Sequence, residues 1–207
     1  MRKILTLLSA TALLATPAIS HARGFDSNFS QAVTGPIKLE IVVSDDLAHR
    51  ANNKSNNRAD RRSRLRLKEA FSNNSYYGDK EIVYLLKEMR EELEYDFAKR
   101  GITLSDTAPT ILRVTIENVK NNRPTIKQLS IDNNLSFRSV STGGAEITAN
   151  ITSASGETLG QAEYEYYSTF NDSQTQFQSI WGDTNQAFSR FSRHLSKKLA
   201  KSGASST

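Results

Sequence analysis

The chain of 207 residues carries 27 basic and 22 acidic side chains, which gives a formal net charge of +5. Hydrophobic residues make up 37% of it, a composition typical of a soluble globular protein with room for one domain. There is no cysteine. This excludes disulfides, thiolate metal sites, a cysteine nucleophile and a lipid-bearing cysteine at the amino end.

Residues 1–22 have the parts of a secretory signal peptide. Arg2 and Lys3 supply the positive start, an apolar run follows to Ala15, and small residues lead up to Ala22. The apolar run is too short to cross about 30 Å of hydrocarbon at about 1.5 Å per residue. We therefore expect export and cleavage after Ala22, with no transmembrane segment in the mature chain. An exported chain without cysteine fits a bacterial periplasm.

The first part of the mature chain predicts a flexible lead, a strand, a loop and a helix. Residues 23–36 are small and polar, whereas apolar and polar side chains alternate over 37–43 as in a half-buried strand. Residues 44–62 are rich in Asn and Arg and show no periodicity, which predicts a loop. Residues 64–71 fit either a helix or a strand. Apolar residues three and four positions apart over 80–100 predict an amphipathic helix.

The second part predicts three or four more strands and a closing helix. A polar excursion over 125–142 interrupts the strands, and the last helix, with Trp181 as a core anchor, is followed by a frayed tail over 202–207. We expect Asp79 and Asp183 to cap the two helices. The strands and the closing helix are predicted over residues 110–119, 144–152, 158–169 and 181–201.

These elements predict a single α+β domain over residues 37–201. Ser155-Gly156-Glu157 reads as a hairpin turn, so most strand pairs are expected to be antiparallel. Each helix has one apolar stripe to bury. We therefore expect two layers, with a mostly antiparallel sheet of four or five strands and two amphipathic helices on one of its faces.

No motif predicts a reaction. The chain has no nucleophile elbow, phosphate-binding loop or dinucleotide fingerprint, so we predict no catalytic residue and no cofactor. His49 follows Asp45 and Asp46 but lacks the further ligands of a metal site, so no metal is predicted. Glu163 and Glu165 share one strand face, where an acid–base pair is conceivable. Period-2 alternation already explains both residues as members of the solvent-exposed face of that strand.

The densest charge lies in residues 50–68, which hold eight basic residues and one acid. Guanidinium groups match phosphate and carboxylate groups in a bidentate way, so this segment is a candidate site for an anionic partner. No aromatic residues are interleaved for base stacking, and nucleic acid is not expected as a partner. The other interpretation is a solvated loop. The candidate binding residues are Arg58, Arg61, Arg62, Arg64, Arg66 and Lys68.

Several stretches resemble an uncharacterised family of small bacterial envelope proteins, many of which are lipoproteins. They are Gly143-Gly144-Ala145-Glu146-Ile147, residues 154–159, and the helix from Trp181 to Leu199; the first strand, over residues 41–47, fits less closely. The resemblance implies an envelope location and a similar α+β fold, and it implies no catalytic residues. This chain differs from those lipoproteins because it has no cysteine to carry a lipid.

The sequence favours a non-enzymatic periplasmic interaction protein that supports envelope assembly, transport or secretion by binding an envelope protein. One alternative is a polyanion-binding protein that takes lipopolysaccharide or anionic lipid through residues 50–68. The other is a hydrolase whose site the sequence does not reveal.

Overall fold

Five strands form one sheet in a computed structural model that describes residues 24–29, 32–53, 76–169 and 179–204. The strands are β1 (Gly24–Phe29), β2 (Ile37–Val43), β3 (Thr110–Lys120), β4 (Gly144–Thr152) and β5 (Thr158–Tyr167). Their order across the sheet is β1-β5-β4-β3-β2. Only the β2–β3 pair is parallel; the other three pairs are antiparallel.

The helices of the described chain are α1 (Asp45–Asn52), α2 (Asp79–Ala98), α3 (Ile126–Ile131) and α4 (Gly182–Leu199), and a π-helical turn, Ala200–Ala204, follows α4. Helices α1 and α2 make the crossover that a parallel β2–β3 pair requires. The predicted α+β class with a mostly antiparallel sheet is confirmed. None of the helices in the described ranges is long and apolar enough to cross a membrane.

The core lies between one face of the sheet and the two long helices. Period-2 alternation turns the apolar residues of β3, β4 and β5 to the same side, where the apolar stripes of α2 and α4 meet them. Burial of this face supplies most of the hydrophobic stabilisation of the domain. The fully buried side chains include Leu85, Met89, Leu93, Phe97, Leu112, Val114, Ile116, Ile147, Ile151, Phe188, Phe191 and Leu195.

The predicted flexible lead over 23–36 differs from the structure, because Gly24–Phe29 is strand β1 at the edge of the sheet. Phe25 packs against the rings of Tyr164 and Phe191, with centroid distances of 6.5 and 6.2 Å. The six residues contain only two apolar side chains. The strand forms because β5 offers an open edge to its backbone, which a local pattern does not show.

The predicted loop over 44–62 also differs, because its first part is helix α1. The Ser44 hydroxyl accepts a hydrogen bond from the Leu47 amide at 3.2 Å and caps the helix, and Leu47 and Ala51 are buried. The polar excursion over 125–142 contains helix α3, which begins with a capping box.

Two predicted caps and the tail need correction as well. The N-caps of α2 and α4 are Gly78 and Trp181, and neither makes a side-chain cap bond, while Asp79 and Asp183 lie in the first turn. The frayed tail predicted from residue 202 begins in the π-helical turn, where the Ser202 carbonyl accepts a hydrogen bond from the Val33 amide at 3.1 Å.

We expect Gly160→Val to displace β1. A Cβ atom at Gly160 would meet the Phe29 ring and would lie 3.0 Å from the Asn28 carbonyl oxygen. Overpacking of this kind costs about 1–3 kcal/mol. Hydrogen exchange should then show faster exchange over Gly24–Phe29, while Gln161→Val on the exposed side of the same strand leaves it unchanged. Equal protection in both variants would contradict the packing of β1 on β5.

Candidate interaction surface

The sheet face turned away from the helices is mostly polar, with Val42 and Ile111 as apolar exceptions. Its residues form rows of directly paired positions that run perpendicular to the strands. One row is Asp26, Glu163, Thr148, Thr115 and Val42. Because the long helices cover the other face, this open face of the sheet is available to a partner in the described chain.

Carboxylates concentrate on the part of this face formed by β1, β5, β4 and the end of β3. We call the set Asp26, Glu117, Glu146, Glu163 and Glu165 the acidic face. Two of its pairs are directly opposite each other in register, Asp26 with Glu163 and Glu146 with Glu165. Like charges in such positions repel and destabilise a sheet. Within the described ranges, no basic side chain forms an ion pair with any of the five.

Neutral hydrogen-bond donors hold two of these carboxylates. The Thr148 hydroxyl donates to Glu117 Oε1 at 2.8 Å, and the Tyr167 hydroxyl donates to Glu146 Oε1 at 2.6 Å. Asn118 donates to the Tyr167 oxygen at 3.0 Å from a register shift in β3. Burial, and then the hydrogen bond to Glu146, raise the pKa of Tyr167. The tyrosine therefore stays a neutral donor and leaves the negative charge in place.

The β2 edge of the same face has a different charge pattern. Glu40 pairs with Lys38 at 2.9 Å and with Arg113 at 3.0 Å. Its hydrogen bonds to Lys38 and then to Arg113 lower its pKa. Here the cations compensate the carboxylate within the molecule. On the β1–β5–β4 side no ion pair forms among the described residues, although Lys120 lies over the Tyr167 ring at 4.6 Å and Arg50 donates to Asn118 at 3.0 Å beside Glu146.

A buried carboxylate fixes the end of the sheet at which β3 and β5 finish. Asp183, in the first turn of α4, is fully buried. Its Oδ2 accepts hydrogen bonds from Asn122 Nδ2 at 2.6 Å, from the Gly143 amide at 2.8 Å and from the Ser168 hydroxyl. Its own amide donates to Asn122 Oδ1 at 2.8 Å. One side chain thus joins the segments that follow β3, precede β4 and follow β5 to the start of α4.

Trp181 anchors the core beside this carboxylate, as the sequence predicts. It is 3% exposed and packs edge-on against Tyr77, with ring centroids 5.3 Å apart. Its indole nitrogen donates to Glu81 Oε2 at 2.6 Å, which ties α4 to α2. The Tyr77 hydroxyl donates to the Val119 carbonyl at 2.9 Å, and burial raises its pKa to about 12.

The Arg-rich binding residues predicted from the sequence lie outside the described residues. The described residues on either side of that segment are joined through α1, because the Tyr76 amide donates to the Arg50 carbonyl at 2.6 Å. The candidate binding residues in question are Arg58, Arg61, Arg62, Arg64, Arg66 and Lys68.

The other sequence candidates separate in the structure. Glu163 and Glu165 lie on the open face, as alternation predicts, and pair in register with residues of β1 and β4. The sequence analysis missed their neighbours Asp26, Glu117 and Glu146, although the same alternation could have found Glu146. His49 is exposed on α1, and no group of three or more His, Asp or Glu side chains in the described part of the chain could hold a metal ion.

Helix α4 carries the opposite charge on its exposed side. Arg193, Lys197 and Lys198 of α4 and Lys201 of the following π-helical turn are exposed on the helix layer, away from the acidic face. His194 stacks on Phe25, with centroids 5.3 Å apart and an interplanar angle of 20°. Burial, and then Lys197, Arg193 and Arg190, lower the pKa of His194.

Comparisons with known proteins place the chain in no family. No protein-family model matches it, and no curated protein matches it. Among solved structures it is similar to a dodecamer of a PelC point variant from Paraburkholderia phytofirmans, with 10% sequence identity, 83% of this chain and 93% of that chain covered, and a TM-score of 0.41.

Replacing Asp183 measures how much its buried carboxylate contributes to the free energy of unfolding. Asp183→Ala removes the acceptor shared by three donors, although Asn122 Nδ2 and the Ser168 hydroxyl keep contacts to the Ser141 and Gly143 carbonyl oxygens at 3.2 and 3.4 Å. It should cost about 2–4 kcal/mol of unfolding free energy. Asp183→Asn keeps an oxygen acceptor and should cost about 1–2 kcal/mol, because neutral hydrogen bonds are weaker than charge-assisted ones. Urea unfolding measures both, with the exposed Asp106→Ala as control. Equal stability of Asp183→Ala and the control would show that this carboxylate does not hold the fold.

The lowered pKa of His194 predicts a pH dependence of stability. The unfolded chain binds a proton at this ring more readily than the native one, so His194 makes stability rise with pH. Its contribution is complete above the ordinary pKa of about 6.5 and is lost as the pH falls through the lowered native value. Denaturation at several pH values should show a smaller slope in His194→Gln than in the wild type. Identical slopes would contradict the predicted contribution of His194.

Proposed function

We propose that this protein is a non-enzymatic interaction protein of the bacterial cell envelope that binds a basic partner protein on its acidic face. The observation that carries the proposal is the set of five carboxylates on the open face of the sheet, none of which has a basic partner in the described chain.

Repulsion between carboxylates on the acidic face supports a partner protein that supplies Lys and Arg side chains. Asp26 opposite Glu163 and Glu146 opposite Glu165 cost stability in the free protein. A partner surface rich in Lys and Arg would convert this repulsion into attraction. Complementary potentials of this kind speed the encounter and select the orientation of the complex.

The structure of the face supports recognition more than chemistry. Two of its five carboxylates, Glu117 and Glu146, accept hydrogen bonds from the Thr148 and Tyr167 hydroxyls on the sheet surface. The envelope location in the proposal rests on the signal-peptide features of residues 1–22 and on the resemblance described above.

A second candidate function is polyanion binding, and the exposed cations of α4 favour it. Arg193, Lys197, Lys198 and Lys201 form a positive surface on the helix layer. Lipopolysaccharide or anionic lipid would bind this surface together with the Arg-rich residues 50–68, and the affinity would fall steeply with salt.

The test compares two triple variants with the same change in net charge. The first is Asp26→Asn, Glu163→Gln and Glu165→Gln on the acidic face. The control is Glu91→Gln, Glu94→Gln and Asp106→Asn at exposed positions elsewhere. The tagged wild type captures partners from envelope extract, and the affinity of each purified partner for all three proteins is then measured at two salt concentrations.

We expect a basic protein that binds the wild type and the control alike and the acidic-face variant about tenfold more weakly, a loss of about 1.4 kcal/mol. The difference should shrink at high salt. A protein partner that binds both variants equally would refute the acidic face as the docking site. Capture of lipopolysaccharide or anionic lipid alone, with an affinity that falls when Lys197 and Lys198 are replaced by Ser, would favour the second candidate function.

A further inference from the structure

The connection between β3 and β4, residues 121–143, presents the two most exposed large apolar side chains of the described chain. Ile126 is 75% exposed and Phe137 is 72% exposed. The Arg123 side chain donates to the Phe137 carbonyl at 2.8 Å, which holds the segment of Phe137 beside the start of α3. The two apolar side chains therefore belong to one end of the molecule.

Buried hydrogen bonds fix the backbone at the start of this connection. Asn121 and Gln128 are buried and bonded to each other at 2.7 Å, and the Thr125–Gln128 capping box fixes the first turn of α3. The next residue, Asn122, is bonded to Asp183. Exposure of Ile126 and Phe137 therefore follows from a fixed backbone, and this end of the molecule presents two large apolar side chains to solvent.

Basic side chains flank both apolar residues in sequence. Lys127 follows Ile126, Arg138 follows Phe137, and both are exposed; the Lys127 ammonium lies 4.9 Å from the centroid of the Tyr76 ring. Residues 121–143 contain three basic residues and a single acid, Asp132. Asp132 accepts hydrogen bonds from the amide and the side chain of Asn134 at 3.0 and 3.1 Å. The tip of the connection is therefore apolar and positively charged.

We propose that the connection between β3 and β4 docks on an anionic lipid bilayer, with Ile126 and Phe137 inserted at the boundary between headgroups and acyl chains. Lys127 and Arg138 would lie at the depth of the lipid phosphates. Buried apolar area and attraction to anionic headgroups add together in such interfacial binding. Charge decides for a bilayer over an apolar protein groove, because each apolar residue is followed by a cation.

This docking goes beyond the proposed function, whose partner binds the acidic face. Val83 and Tyr95 of α2 provide a matched control, because they are 67% and 66% exposed without belonging to the connection. The variants are Ile126→Ser with Phe137→Ser, Lys127→Ser with Arg138→Ser, and Val83→Ser with Tyr95→Ser. Thermal unfolding of each verifies that it is folded.

Vesicle co-sedimentation measures binding to equimolar phosphatidylglycerol and phosphatidylcholine and, in parallel, to phosphatidylcholine alone. We expect the wild type and the Val83/Tyr95 variant to bind the anionic vesicles equally. The Ile126/Phe137 variant should bind them about tenfold more weakly. The Lys127/Arg138 variant should lose most of the preference for anionic lipid.

Three outcomes would overturn the bilayer proposal: no binding of the wild type to anionic vesicles, an affinity of the folded Ile126/Phe137 variant equal to that of the wild type, or equal wild-type binding to both vesicle types. Because none of these substitutions touches the acidic face, failure here leaves the partner-binding test of the proposed function intact. Loss of partner binding in the acidic-face variant likewise leaves the vesicle result unchanged.

Discussion

The arrangement of both proposed surfaces depends on the buried carboxylate of Asp183. A buried polar group is costly unless hydrogen bonds satisfy it, and Asp183 Oδ2 accepts hydrogen bonds from three separate segments. Those donors come from the residues after β3, before β4 and after β5. Asp183 therefore holds together the ends of β3 and β5, the start of α4 and the two ends of the connection between β3 and β4.

The two-layer architecture explains why the open face of the sheet is mostly polar and charged. Most apolar side chains of the strands lie on the helix side of the sheet, where α2 and α4 bury them. What remains for the other face is polar by the period-2 geometry of a strand. Cations compensate Glu40 at the β2 edge, but Asp26, Glu163 and Glu165 have no such neighbours in the described chain. A surface of this kind selects a partner by sign of charge rather than by apolar area.

Regular periodicity made much of the fold predictable, and contacts between distant residues account for the rest. Strands β2 to β5 and helices α2 and α4 show clear alternation or helical spacing, and the structure has them close to the predicted bounds. Strand β1 was missed because its pairing with β5 is a tertiary contact. The sequence predicts Asp183 as a helix cap. Its actual hydrogen-bond donors, Asn122, Gly143 and Ser168, are far from it in sequence, so no local pattern shows them. Alternation identified Glu163 and Glu165 as wet, but only the register shows which carboxylates oppose them.

The two proposed surfaces would act together to orient the protein. Glu146 lies two residues into β4 from the end that carries the connection, and the Asp26–Glu163 pair lies a further two residues along the strands, about 7 Å. An anionic bilayer attracts Lys127 and Arg138 at the tip and repels these carboxylates over a screening length of about 8 Å. If both proposals hold, the lowest-energy orientation would place the tip on the lipid and tilt the acidic face away from it. In that orientation the open face of the sheet stays accessible to a basic protein while the connection is docked.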